Sequence, residues 1–211
     1  MTKNIFIFGS GGHAKVIADE ISYYKNIKVI GYIDSIKNNE ISIKKNLNSN
    51  SEIKQISFIQ NKKYYGIVGI GDINKRKKVV KEISRINPNF KWISIISKKA
   101  TLSPQIKIGK GSVIISGSVI NAGVQIGNHS IVNTSSSIDH DCKIGNYVNI
   151  SPGVIMAGSV VVGDKVLIGI NSAIKENINI CKNTLIGGNS FINKNITIPG
   201  TYFGSPVKKI K

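Results

Sequence analysis

The residues best suited to proton chemistry are three histidines, and one of them, His140, is flanked by acids in the run Ile138-Asp139-His140-Asp141-Cys142. Imidazole titrates near neutrality, so it can take a proton from a hydroxyl or an amine. Either Asp139 or Asp141 would orient the ring and stabilise the imidazolium that results. His129 has no adjacent acid and reads as a surface residue. His13 directly follows a glycine run, on the first turn of a predicted helix, where it would contact a ligand or cap the helix. Cys142 and Cys181 lie far apart without metal-ligand spacing, so no metal site and no disulfide framework is expected. Cys142 falls on an inward position of the repeat described below and reads as core rather than nucleophile.

The glycine run belongs to "KNIFIFGSGGHAKVIADEI", which predicts a buried strand over Asn4–Phe8, a tight turn, and a helix from about Gly12. A second strand over Lys28–Ile33 would end at Asp34. Gly9, Gly11 and Ala14 satisfy G-x-G-x-x-G/A, and Asp34 lies twenty residues beyond Ala14, which read alone predicts a dinucleotide. The unit is too short for two mononucleotide-binding halves. Residues 35–55 read as a polar loop, followed by a strand over Tyr64–Ile70, a helix over Asp72–Ile86 and a strand over Phe90–Ile95. The loop can still hold an anion, because free backbone N–H groups and the helix dipole point the same way.

From residue 96 onward a different pattern positions His140. Every sixth residue from Ile96 to Ile198 is aliphatic, Met156 included. Two residues before these positions runs a series of small or β-branched residues, among them Ser112, Ser118, Val124, Ser130, Cys142 and Val148. Residues two apart on a strand share a face, so both series point inward. Glycine follows the aliphatic residue at Gly109, Gly127, Gly145, Gly163, Gly169 and Gly187, read as tight corners. A period of six fits neither a helix nor a sandwich; it fits short strands and corners stacked as a three-sided prism of about six coils. His140, two places after Ile138, would stand at a corner with its ring outward.

Net charge of +18 raises the question of nucleic acid. The charge is spread along the chain, with 17 Lys or Arg against 7 acids in residues 1–95 and 12 against 4 in 96–211. Arg76 and Arg85 are the only arginines, and aromatic residues do not interleave with basic ones, so nucleic acid is not expected as a partner. The field would still concentrate anionic ligands. No apolar run approaches the roughly 18 residues of a membrane span. Cysteine usage and the absence of a leader pattern predict a cytoplasmic protein.

The segments "GSGGHAK" at 9–15, "GYIDS" at 31–35, "GIGDINKRKK" at 69–78, "NTSSSIDHDCKIG" at 133–145, "GINSAI" at 169–174 and "GSPVKKI" at 204–210 resemble the bacterial sialic acid O-acetyltransferase and bacillosamine N-acetyltransferase family. The resemblance spans nearly the whole chain. It implies a small α/β Rossmann-like domain over 1–95 that binds a nucleotide-sugar. It also implies an all-β left-handed parallel β-helix over 96–203, with a tail over 204–211. It further implies a homotrimer with active sites between neighbouring prisms, and acetyl-CoA as cosubstrate. Carried over by motif, His140 is the base and Asp141 its partner. Gly11, Gly12, His13, Asp34, Ile70 and Gly71 are placed at the nucleotide-sugar. Gly158 offers its N–H to the thioester carbonyl, and Gly169, Gly188 and Lys208 line the coenzyme slot. The sequence departs from the family at Asn149, where relatives often have histidine, and at Ser35, where many have a second acid. The function implied is N-acetylation of a nucleotide-linked amino sugar in surface-glycan synthesis; O-acetylation of a nonulosonate and a non-catalytic solenoid are the alternatives.

Overall fold

The computed structural model describes residues 2–37, 40–47, 50–55, 59–60 and 63–211. The chain forms two compact units, residues 1–95 and 96–211.

The first unit is an α/β sheet. Its elements are β1 (Lys3–Phe8), α1 (Gly12–Ser22), β2 (Ile27–Lys37), β3 (Glu40–Lys44), β4 (Ser51–Gln55), β5 (Tyr64–Val68), α2 (Ile73–Ile86) and β6 (Lys91–Trp92). The strand order is β4-β3-β2-β1-β5-β6, with β2, β1, β5 and β6 parallel and β3 and β4 antiparallel. Ile5 and Ile7 are fully buried. On the neighbouring positions Phe6 meets Tyr64, and Phe8 meets Phe90 and Trp92, with ring centroids 5.3–5.8 Å apart. Helix α1 buries Ala14, Ile17 and Ile21, a stripe at three- and four-residue spacing. Helix α2 starts at Asp72, whose carboxylate accepts the Lys75 N–H at 2.7 Å, and it buries Val80 and Ile83.

Three expectations need correction here. The segment over 35–55 is not a loop, since it contains the end of β2, β3 and β4; residues 38–39 and 48–49 lie outside the described residues. Its polar composition hid an alternation, "EISIK", of which Ile43 is buried at 7% exposure. Asp34 therefore lies within β2 rather than at its end. The stretch Phe90–Ile95 is not one strand: Lys91–Trp92 pairs with β5, whereas Ile95–Ile96 is the first strand of the solenoid.

The second unit is a parallel β-solenoid of about six turns with three faces. Its first face includes Val113–Ile114, Ile131–Val132, Asn149–Ile150 and Leu167–Ile168. The second runs from Thr101–Leu102 through Ser137–Ile138 and Ile155–Met156 to Phe191–Ile192, and the third from Lys107–Ile108 to Asn179–Ile180. Each residue pairs with the one eighteen positions on, as Ile120 with Ile138 and Ile138 with Met156. The aliphatic series from Ile114 to Ile192 is buried throughout, as are the small residues beside it. At roughly 2 kcal/mol for each buried aliphatic side chain, this ladder is the main source of the solenoid's stability. Most inward serines bond to a carbonyl further along the solenoid, whereas Ser136 donates to Asn133 O at 2.6 Å. The hydroxyls of Ser112, Ser118, Ser130 and Ser172 donate to carbonyls fifteen residues on, at 2.7–3.0 Å, and Cys142 Sγ does the same to Ala157 at 3.2 Å.

The repeat departs from strict sixes at its end. Ile198 is 58% exposed, and Ile196 is buried in its place, bridging to Ile180. The last coil is two residues shorter, as the pairing of Ile186 with Tyr202 also shows. The glycine after each aliphatic residue also has another reason than the one expected. At Gly109 a Cβ would lie 2.5 Å from the carbonyl carbon of Gly127 in the coil above, so close stacking of coils excludes a side chain. The left-handed corner comes two residues later and is held by Gly, Asn and others, including Gly123 (φ 76°), His129 (φ 54°), Asp141 (φ 60°) and Asn171 (φ 54°). His129 is buried at 3% exposure rather than on the surface, because its corner stacks the imidazole on Tyr147, 5.3 Å away and 15° from parallel.

Among the described residues no helix is long and apolar enough to cross a membrane, and no three His, Cys, Asp or Glu side chains converge as metal ligands.

Candidate active site

His140 occupies a corner between the second and third faces, with its ring projecting outward. The left-handed turn at Asp141 brings the carboxylate back onto the ring, and Nδ1 lies 2.9 Å from Asp141 Oδ2. Asp139 does not touch the ring; its Oδ1 accepts the His140 backbone N–H at 2.8 Å. The hydrogen bond to Asp141 is the main cause of a His140 pKa raised above its ordinary value, and the charge of Asp139 adds to it. With Nδ1 donating to the carboxylate, the neutral ring carries its lone pair on Nε2. That edge lies against Gly158 one coil on, where a Cβ would come within 2.6 Å of both Cε1 and Nε2. Gly158 thus has a steric reason to be glycine, and its backbone borders the basic nitrogen. Burial pushes the Cys142 thiol up to about 11, which keeps it protonated and unreactive.

Beyond this corner the second face exposes Ile155 (60%) and Phe191 (38%), with Ile170 (53%) at the corner where the face begins. Gly169 and Gly188 stack at that same corner, a Cβ on Gly169 lying 2.5 Å from Gly188 N. Lys208 is exposed on the last strand, Lys208–Lys209, which pairs antiparallel with Gly200–Phe203. One apolar strip therefore runs between the Gly158 corner and the Gly169–Gly188 corner. Asn149 stands apart: it lies half-buried on the first face, with the third face between it and His140 along the coil.

In the first unit the glycine run forms the turn from β1 into α1. Gly11 is the helix N-cap and, having no side chain, makes no cap bond to the first-turn amides. Among the described residues nothing lies within 4 Å of a Cβ built on Gly11, Gly12 or Gly71, and none of the three has a positive φ, so a side chain would find space at each. Asp34 sits at a register shift between β2 and β3, which turns its side chain toward Ser10 and Lys44. The Ser10 hydroxyl hydrogen bond, with help from Lys44 at 3.3 Å, holds its carboxyl below the usual range. Asp34, Ser35, Ile70, Lys75 and Lys78 border a cleft of about 210 Å³. This is less than the roughly 300–1,000 Å³ that encloses a drug-sized ligand. His13 is largely buried, and desolvation together with Arg76 pushes its pKa down to about 4, so it remains neutral.

The sequence reading passed over Arg76. Its side chain is buried at 1% exposure and donates to the carbonyls of Ile70 and Gly71 at 2.9 and 2.8 Å, fixing the loop after β5. One signal for it was present, an arginine on the apolar stripe of α2 with Val80 and Ile83.

Residues 4–83 match the model of the PglD N-terminal domain family. The acetyltransferase domain of PglB from Neisseria gonorrhoeae, solved in complex with acetyl coenzyme A, is 25% identical, with a TM-score of 0.82 and coverage of 100% of both chains. PerB from Caulobacter crescentus, solved with CoA and GDP-perosamine, has the same fold at 24% identity, with a TM-score of 0.87 over 100% of this chain and 99% of that one. The solenoid is the left-handed β-helix of these acetyltransferases. An uncharacterized protein of Acanthamoeba polyphaga mimivirus is 34% identical over 118 residues, which are 56% of this chain and 22% of that protein. The chain thus spans about a fifth of the length of that curated relative. An amino-terminal unit that matches the PglD N-terminal domain model, with a solenoid behind it, gives this chain the fold of these acetyltransferases.

Proposed function

We propose that this chain transfers the acetyl group of acetyl-CoA to the amino group of a nucleotide-linked sugar, of the UDP-4-amino-sugar type, in bacterial surface-glycan synthesis, with His140 as general base. The observation that carries this reading is the corner itself. A histidine with Nδ1 on Asp141 presents a basic Nε2 beside the Gly158 backbone, at the edge of an exposed apolar strip. The strip takes the pantetheine arm, Gly158 N–H faces the thioester carbonyl oxygen, and Lys208 faces the coenzyme phosphates. As the acceptor nitrogen attacks, Nε2 takes its proton, and Asp141 stabilises the imidazolium. The open glycines Gly11, Gly12 and Gly71, with Asp34 and the adjoining cleft, hold the nucleotide end of the acceptor. The assembly is a cyclic trimer, in which residues on other faces, Asn149 among them, reach the acceptor sugar bound at a neighbour's His140.

The test is a direct assay with acetyl-CoA and a panel comprising a UDP-4-amino-4,6-dideoxyhexose, GDP-perosamine and a free nonulosonate, following thiol release and product mass. Acetylation of an amino sugar only while it carries its nucleotide supports the reading. Acetylation of the nonulosonate alone would transfer the function to a hydroxyl acceptor.

A further inference from the structure

The corner that carries His140 contains a second set of bonds, which reaches into the coil below. Asp139 Oδ1 accepts the His140 backbone N–H at 2.8 Å and also the side-chain amide of Asn121 at 2.9 Å. Asn121 occupies the same corner place one coil earlier. The backbone N–H of Asp139 is already used in strand pairing, donating to Met156 O at 2.9 Å, so the side-chain bonds are additional to the solenoid's own ladder.

We propose that Asn121 is a positioning residue for acetyl transfer, acting through Asp139 to fix the His140 peptide and hence the direction of the imidazole. The proposal rests on the reading of His140 as the base. Asp141 sets rotation about the ring's own bond, but Asp141 is the next residue in the chain and its side chain is 67% exposed. The corner's backbone is tied to the coil below through the Asp141 N–H on Ala122 O and to the coil above through the Ser159 N–H on His140 O, both at 2.9 Å, and the His140 N–H is the group left for Asp139 to hold. The Asn121–Asp139 contact anchors that carboxylate on the coil below. It holds Nε2 against Gly158, where a shift of about 1 Å matters to proton transfer.

The pair also differs from the solenoid's structural ladder. At another corner Asn128, Asn146 and Asp164 accept backbone amides of the preceding coil, and Asp164 also accepts the Asn146 side-chain amide at 3.2 Å, which joins coil to coil. Here the acceptor of the side-chain bond, Asp139, also turns to the N–H of the residue that follows it, His140. On this edge the places above and below are Ser103, Ala157 and Lys175, so the pair occurs only at the His140 step. The Asn121 amide is the first cause of an Asp139 pKa below its ordinary value, which keeps that carboxylate charged beside His140. Asp139 and Asp141 flank His140, and the corners above (Ala157, Gly158, Ser159) and below (Asn121, Ala122, Gly123) add no titratable side chain.

The test uses isotopically labelled full-length protein in Asn121→Ala, Asp139→Ala, Asp139→Asn and His140→Ala forms. Asn121 is exposed, so its truncation leaves the buried ladder intact. The substrate-free readouts are the ring-current displacement of the Gly158 Hα resonance and the pH titration of the His140 ring. Turnover is measured with acetyl-CoA and a UDP-4-amino-4,6-dideoxyhexose. Asn121→Ala and Asp139→Ala should lose more than half of the Gly158 displacement and about 10- to 100-fold in kcat, with KM for acetyl-CoA and the melting temperature nearly unchanged. Asp139→Asn retains an acceptor for the His140 N–H, so it should keep the displacement while its acid limb moves to lower pH. Wild-type Gly158 displacement and His140 titration in both alanine variants overturn the proposal. Undiminished turnover in His140→Ala overturns the base reading instead, and the resonance data then judge the ring geometry separately.

Discussion

At the residue scale the chemistry converges on the contact of His140 with Asp141 on one side and Gly158 on the other. Replacing His140 with Ala should lower kcat by roughly 10²–10⁴-fold while CoA binding, measured by calorimetry, stays unchanged. Asp141→Asn should cost less, because the base remains and only its orientation and electrostatic support weaken. The direction of the pH effect follows from the bond to Asp141. The base works when neutral, and a raised His140 pKa places the acid limb of kcat above the ordinary imidazole value of 6.5. In Asp141→Asn that limb should move toward lower pH. Gly158→Ala places a Cβ 2.6 Å from Cε1 and Nε2 and must push the ring aside. Its kcat should fall by about 10²-fold with little change in CoA affinity. The acid beside His140 was legible from the "DHD" run, but which aspartate turns onto the ring was not. That depends on the left-handed corner at residue 141, a backbone property with only a faint signature, the Gly and Asn residues that recur every six places. His129 shows the same gap: without the corner register, nothing in "IGNHSIV" says that the imidazole stacks on Tyr147.

At the element scale, two different rules operate. The solenoid's faces were legible because the inward positions repeat without interruption, and burial leaves no alternative for Ile114 through Ile192. The end of the repeat was not, since Ile196 and Ile198 are equally apolar and only the shortened coil decides which one enters the core. In the amino-terminal sheet, β3 and β4 escaped notice because each is only five residues long and mostly polar, with isoleucines set among Glu, Ser, Lys and Gln. The register shift that aims Asp34 at Ser10 and Lys44 depends on β3, so the site's geometry was hidden along with the strand. The first helical turn gives a prediction of its own. His13 has a folded pKa of about 4 against 6.5 when free, so the unfolded chain binds the proton first as pH falls. The stability linked to His13 is complete above about 6.5 and is lost down to about 4, amounting to at most about 3 kcal/mol. Urea unfolding at pH 7.5, 6 and 4.5 should show a shallower decline in His13→Gln than in the parent. An unchanged slope would remove His13 as its source.

At the scale of the whole molecule, one chain gathers His140, Asp141 and Gly158 at one edge of the prism and leaves Asn149 on another face, so the proposed contact of Asn149 with the sugar requires a second chain. Light scattering should give about three times 22.9 kDa. A monomer at micromolar concentration would remove the proposed route by which Asn149 reaches the sugar. Because each coil packs mainly on its neighbours, a chain lacking residues 1–90 should keep a folded solenoid that binds CoA, and calorimetry should find that it no longer binds the nucleotide-sugar. Retained nucleotide affinity would place the acceptor outside the amino-terminal domain. Whether His140 takes the proton from an amine on a nucleotide-linked sugar is decided by the pH dependence of kcat for parent and His140→Ala with a UDP-4-amino-4,6-dideoxyhexose. The variant should be slowed by roughly 10²–10⁴-fold at neutral pH, with a deficit that narrows as pH rises toward the amine pKa, where free amine and hydroxide take over the base's task. Parent-like turnover by His140→Ala at pH 7 would contradict that role.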